Sequence, residues 1–308
     1  VYKRQLQGMV FVAVAAALWG TTGTAQALAG GTLSPLWFGA LRLVFAALFF
    51  LAFAAATGAL SRAAFSALNP RALMGAGLCM AFYNLAFFAG VQRTGVGVGT
   101  AIALGSGPVW AGLLQAVFHR QRLSGGWWAG TGLAIAGGVA LSLGGSGMQF
   151  SASGMLLCLA CGLSYAVYAL LNKQMVGQAP AATLTLGAFG VAALVSLPAA
   201  AWQAGWPAPG LSDLVATAYT GVVTAGVGYL LFSQALRHIA SATGVTLALL
   251  EPVVAFALAV LVLGEPVTSL GLGGLALVVA GVWGVARSEL ARPAAPSRPS
   301  TGAEPGLK

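Results

Sequence analysis

Two stripes of polar and aromatic residues interrupt an otherwise apolar sequence. Cys161, Tyr165, Tyr168 and Asn172 recur at i, i+4, i+7 and i+11, a spacing that puts them on one face of a helix. Trp19, Thr22 and Gln26 stand 146 residues before Tyr165, Tyr168 and Asn172. Polar groups are costly against lipid, so both stripes must face a cavity or another helix. As cavity walls they would line a solute path; as packing residues they would make interhelical hydrogen bonds. Tyr83 and Asn84 in a third apolar segment, and Tyr229 in an eighth, fall at the same mid-segment depth. Aromatic walls with a few polar tips suit a mostly apolar organic solute.

Two ionisable residues lie inside apolar segments. Glu251 could carry a proton or meet a solute ammonium. It could equally hydrogen-bond the backbone at the helix break that Pro252 creates. Arg42, about a third of the way into its segment, could meet a solute carboxylate, or snorkel or pair with a helix C-terminus. Pro108 and Pro252 are candidate kinks for gating. No phosphate-binding G-x-x-x-x-G-K-[ST] loop is present, so no P-loop ATPase is encoded and no ATPase partner is required. His119 and His238 sit at segment ends and Asp213 is the only Asp. That leaves no catalytic triad and no metal-ligand spacing, so the reading is not an enzyme, with no cofactor and no metal.

Such residues need long helices to position them. The chain has 308 residues, with 14 Lys or Arg, 5 Asp or Glu and 59% apolar residues. That charge is too sparse to cover a soluble domain. The net charge of +9 comes from singly placed residues rather than a basic patch with aromatic neighbours, so no nucleic-acid partner is expected. Apolar stretches long enough to cross a bilayer occupy 8–29, 35–56, 72–91, 96–118, 127–144, 153–171, 182–203, 213–235, 243–263 and 269–286. The first resembles a signal peptide, but it is long and has a partner later in the chain, so it reads as a true span. With the N-terminus inside, twelve Lys and Arg fall on the inner side, only Arg93 falls outside, and Arg42 lies within a span. Trp37, Trp127, Trp128 and Trp206 near segment ends read as interface anchors.

The halves repeat. A shift of 144 places Arg93 on Arg237, Pro108 on Pro252, Gln121 on Glu265, Gly130 on Gly274 and Gly137 on Gly281. A shift of 146 places Gly8 on Gly154 and, with a local gap, Tyr83 on Tyr229. Five spans per half would set the second half upside down, the arrangement of secondary transporters with a site between repeats. The fold expected is an all-α membrane protein of ten transmembrane helices in two inverted five-helix repeats with cytoplasmic termini. The repeats would occupy 1–146 and 147–288, and a disordered cytosolic tail 289–308.

Leu18-Trp19-Gly20, Arg42, Pro108, Leu250-Glu251-Pro252-Val253-Val254 and Leu263-Gly264-Glu265-Pro266 together resemble the EamA family of the drug/metabolite transporter superfamily. The first half departs from the motif, with Arg120-Gln121 where Gly-Glu is expected. Within the family the chain is most similar to bacterial YddG-type amino-acid and metabolite exporters. The resemblance implies a multi-pass inner-membrane exporter of small molecules, amino acids foremost and aromatic ones among them. The lipid bilayer and the solute are its expected partners. The rival expectation is a drug or organic-cation exporter coupled to protons through Glu251.

Overall fold

Within a bilayer no water is available to backbone amides, so an apolar chain satisfies them internally by forming helices. The computed structural model describes residues 2–120, 123–143 and 151–291. Gln121, Arg122 and the tail beyond residue 291, to which several expectations applied, lie outside the described residues. Among those described, the regular structure is all helical. The helices are α1 (Tyr2–Ala29), α2 (Pro35–Ala56), α3 (Arg62–Ser66), α4 (Pro70–Thr94), α5 (Val96–His119), α6 (Gly125–Leu143) and α7 (Ala152–Met175). There follow α8 (Ala181–Ala204), α9 (Leu211–Tyr219), α10 (Gly228–Ala235), α11 (Ser241–Leu247), α12 (Glu251–Leu263) and α13 (Ser269–Leu290).

Local sequence sets the helix starts. Pro35 follows the N-cap Ser34, and Pro70 follows Asn69, whose Oδ1 accepts the Arg71 amide at 3.0 Å. Ser151 caps α7 and Thr268 caps α13, accepting the Gly154 and Gly271 amides at 3.3 and 3.0 Å. A single residue, Gly95 at φ +81°, turns the chain from α4 into α5.

Nine helices among the described residues are long and apolar enough to cross a membrane, counting 211–235 and 241–263 as continuous rods. Ten were expected. The remaining one, α6, is 19 residues long and carries six glycines and two tryptophans. Two rods are irregular in ways that the spacing did not predict. A π-helical segment, Thr220–Val227, joins α9 to α10, and a 3₁₀ turn, Ala248–Leu250, joins α11 to α12 directly before Glu251. Pro108, the matching proline of the first half, sits inside a continuous α5. The last helix also enters the expected tail. It runs to Leu290, because Glu289 is buried and hydrogen-bonded rather than solvated.

Helix packing sets up the site. Helices α6 and α13 run antiparallel at close range. A Cβ on Gly137 would lie 2.6 Å from the Gly274 oxygen, and one on Gly130 would lie 2.8 Å from that of Gly281. Helices α4 and α5 pack on α7; α10 and α12 pack on α1; α2 packs on α8. At one end of the bundle Gly8 meets Ala235, His238 and Ile239, while Gly154 meets Gly90, Arg93 and Thr94. Phe50, Phe189 and Phe232 are fully buried in the core.

The loop at the Gly8 end is densely charged. Burial, followed by the positive charges of Arg4, Lys173 and Arg237, holds the His238 imidazole below its ordinary value of 6.5. The unfolded chain therefore takes up this proton first, and the stability that His238 contributes falls as pH drops below that value. An NMR titration in a His119→Gln background should give a midpoint under 6.5. A midpoint at or above it would contradict this environment.

Candidate functional site

The helices enclose a cavity of about 310 Å³. Nine of the expected site residues line it: Trp19, Thr22, Gln26, Arg42, Tyr83, Asn84, Tyr165, Tyr229 and Glu251. Both halves of the chain contribute, through α1, α2, α4 and α5 on one side and α7, α10, α11 and α12 on the other.

The aromatic residues form two matched pairs. Trp19 and Tyr229 tilt together at 4.9 Å between ring centroids, and Tyr83 and Tyr165 do so at 5.6 Å. Moving Trp19 and Tyr83 on by 146 residues gives Tyr165 and Tyr229, so each pair is the other's counterpart under the sequence repeat. Phe232 lies between them, 5.6 Å from Trp19 and 5.9 Å from Tyr165. Trp19 is seated by two glycines. Gly228 leaves room for its indole, and Gly20 lets α1 approach the Glu251 carbonyl, 2.8 Å from where a Cβ would stand. The Trp19 indole N–H donates to the Thr224 carbonyl at 2.9 Å, within the π-helical segment. Trp19 thus offers the cavity its ring rather than a hydrogen bond.

Four expected residues are not brought to the cavity wall. Tyr168 and Asn172 continue the α7 stripe beyond Tyr165 into packed core, where both are fully buried. Asn172 Nδ2 donates to the Tyr168 hydroxyl at 3.0 Å and to Ser233 Oγ at 2.7 Å. Their geometry is that of interhelical hydrogen bonding. Pro108 and Pro252 are buried beside the lining rather than in it. Two of the presumed interface tryptophans are also buried. Trp37 donates to the Gly205 carbonyl at 2.7 Å and Trp127 lies in the core, whereas Trp206 is exposed.

Sequence reasoning missed Phe38, Phe87, Phe88 and Thr100, which also line the cavity. A phenylalanine in an apolar segment carries no signal that separates cavity from lipid. The π-helical segment had a faint one, the Thr- and Gly-rich run from Thr220 to Gly228.

Arg42 and Glu251 share the cavity, and among the described residues no ion pair joins them. Nor does any group of three His, Cys, Asp or Glu among those residues stand close enough to hold a metal. The fold and its chamber define a multi-pass helical membrane protein with an internal aromatic and polar cavity. The chain belongs to the EamA-like transporter family, whose model matches residues 6–143 and again 152–287. It is 34% identical over 277 residues to the uncharacterized transporter YwfM of Bacillus subtilis, covering 89% of this chain and 91% of that protein. It is 28% identical over 199 residues to a probable terminal-alkyne amino-acid exporter of Streptantibioticus cattleyicolor, covering 64% of this chain and 67% of that one. A solved crystal structure superposes with a TM-score of 0.78 at 19% identity, over 92% of this chain and 98% of the other, a likeness of fold alone. The family and the named relatives are transporters, not enzymes.

Proposed function

We propose that this transporter exports small amphiphilic metabolites, amino acids foremost and aromatic ones among them, by alternating access through the central cavity. The observation that carries the reading is a chamber whose wall comes from both halves, with aromatic faces and a few polar tips replacing the solute's water. The Streptantibioticus relative is named a probable terminal-alkyne amino-acid exporter.

The same reading takes the chain as ten crossings in two inverted repeats, 1–146 and 147–288, with both termini in the cytosol of a bacterium and the spans in its inner membrane. The antiparallel run of α6 against α13 supports inversion, because Gly130 and Gly137 match Gly274 and Gly281 in the repeat. The bias of Lys and Arg to one side supports the orientation. The cavity occupies the half of the bundle toward the C-terminal end of α1, where Gln26 lies, so in this orientation it belongs to an outward-facing state. Rocking of the halves, with bending at Pro108 and Pro252, would open the opposite side.

A second reading is a proton-coupled exporter of drugs or organic cations. It is favoured by Glu251, the one carboxylate among the cavity-lining residues. The test is uptake of a labelled amino-acid panel, and separately of labelled organic cations, into proteoliposomes with and without a pH gradient. Saturable amino-acid uptake that needs no gradient supports the first reading. Gradient-driven cation uptake that Glu251→Gln abolishes, while neutral solutes still move, supports the second. No saturable uptake of either class would sink both.

A further inference from the structure

We infer that the cavity recognises its solute by a free carboxylate, gripped by Arg42 and Asn84, so that amino acids blocked or shortened at the carboxyl end are excluded. This rests on the reading of the cavity as the solute site and specifies what that site reads.

Three cavity residues carry a buried polar atom with no partner: Arg42 Nε, Asn84 Nδ2 and the Tyr165 hydroxyl. Asn84 is 3% exposed and Tyr165 9%. All three atoms can donate, and what they lack is an acceptor. Another side-chain donor there, the Trp19 indole, is already bonded to Thr224. The cavity therefore has an unfilled demand for an acceptor.

Gly39 brings Asn84 of α4 against the helix that carries Arg42. Residues three apart on a helix share a face, so Gly39 and Arg42 lie one turn apart on α2. A Cβ at Gly39 would stand 2.5 Å from Asn84 Nδ2 and 2.7 Å from its Oδ1, so the carboxamide of α4 rests directly on α2 beside the Arg42 turn. A guanidinium and an amide donor lining the same cavity can together meet the two oxygens of a carboxylate. Glu251 belongs to a different wall, on α12 where Gly20 of α1 packs against it, and is free to take the ammonium end. A volume of about 310 Å³ is at the small end for organic-ligand sites, suited to one amino acid rather than a peptide.

A site built to hydrogen-bond a group discriminates strongly against analogues that lack it, because its own donors are then left unpaired. The test is competition against a labelled mixture of the standard L-amino acids entering proteoliposomes. The competitors are the free acids, the corresponding carboxamides and the corresponding decarboxylated amines. Carboxamides and amines should compete at least about tenfold more weakly than free acids. Asn84→Ala should narrow that gap, and Asn84→Asp should weaken the free acids further while favouring the amines. Melting temperature and size-exclusion profile check that these variants fold. Should the Asn84 variants fail to fold, Tyr165→Phe removes only a hydroxyl and should also narrow the gap. Equal competition by acids, amides and amines, with uptake of the mixture intact, overturns the carboxylate inference and leaves the exporter reading standing. Absence of any uptake of the mixture overturns both.

Discussion

Gly137→Leu is expected to leave almost no folded protein in the membrane, while Gly132→Leu in the same helix is tolerated. The contrast comes from what a side chain would meet. At Gly137 a Cβ would stand 2.5 Å from the Val278 amide nitrogen and 2.6 Å from the Gly274 carbonyl, both backbone atoms of α13. Backbone cannot rotate aside, so α6 and α13 would have to separate. Helices in lipid associate through close packing rather than through expulsion of water, so lost contact has little to replace it. Overpacking a core usually costs ~1–3 kcal/mol, and a clash with backbone should exceed that. At Gly132 nothing lies within 4 Å of the added atom. The measurement is size-exclusion chromatography and thermal melting of both variants in mild detergent. If the two behave alike, the α6–α13 seam is not what holds these helices together.

The second large effect is expected at the opposite end of α1 from Gln26. There a clasp of side chains closes the loop between α10 and α11. Lys173 Nζ donates to the carbonyls of Leu236 at 2.5 Å and Ile239 at 3.0 Å. Glu289 accepts the Ala240 amide at 3.2 Å and the Thr243 hydroxyl at 2.6 Å. Gln115 accepts the Ala242 amide at 3.3 Å. Lys173 thus meets carbonyls following α10, and Glu289 meets donors at the start of α11, the signs that the two helix ends favour. Glu289→Ala strands a half-buried amide and a buried hydroxyl, at a cost of about 1.5–3 kcal/mol for each charge-assisted bond lost. Amide hydrogen exchange across residues 236–246 should rise in Glu289→Ala, with a lowered melting temperature. Glu289→Gln, which keeps one of the two acceptor oxygens, should show a smaller change. An exchange pattern unchanged in both would mean that the clasp does not hold this loop.

Much of the architecture is legible in the sequence. The segments expected at 35–56, 96–118 and 243–263 appear as helices or helical rods within a residue or two. Nine residues expected on spacing, repeat position or depth share one cavity. The repeat also anticipated Tyr83 and Tyr229 as counterparts, which stand in matched pairs with Tyr165 and Trp19. Lipid explains this legibility. A crossing segment must be long, apolar and helical, and those demands are local, so a run of residues states them unaided.

Where the chamber ends was a tertiary matter. Tyr165, Tyr168 and Asn172 share one helical stripe, yet only Tyr165 reaches the cavity, because Ser233 of α10 meets the stripe one to two turns further on and closes it with hydrogen bonds. Phe38, Phe87 and Phe88 were hidden among apolar neighbours, since nothing in a lone segment distinguishes a ring that faces a chamber from one that faces lipid. Likewise the burial of Glu289, four residues from the start of a Pro-rich stretch, followed from the approach of α11. Sequence alone determined which segments are helical and which of them correspond. The rotation of each helix against its neighbours determined which side chains meet, because that angle arises from the packing of many surfaces at once and is written in no single one of them.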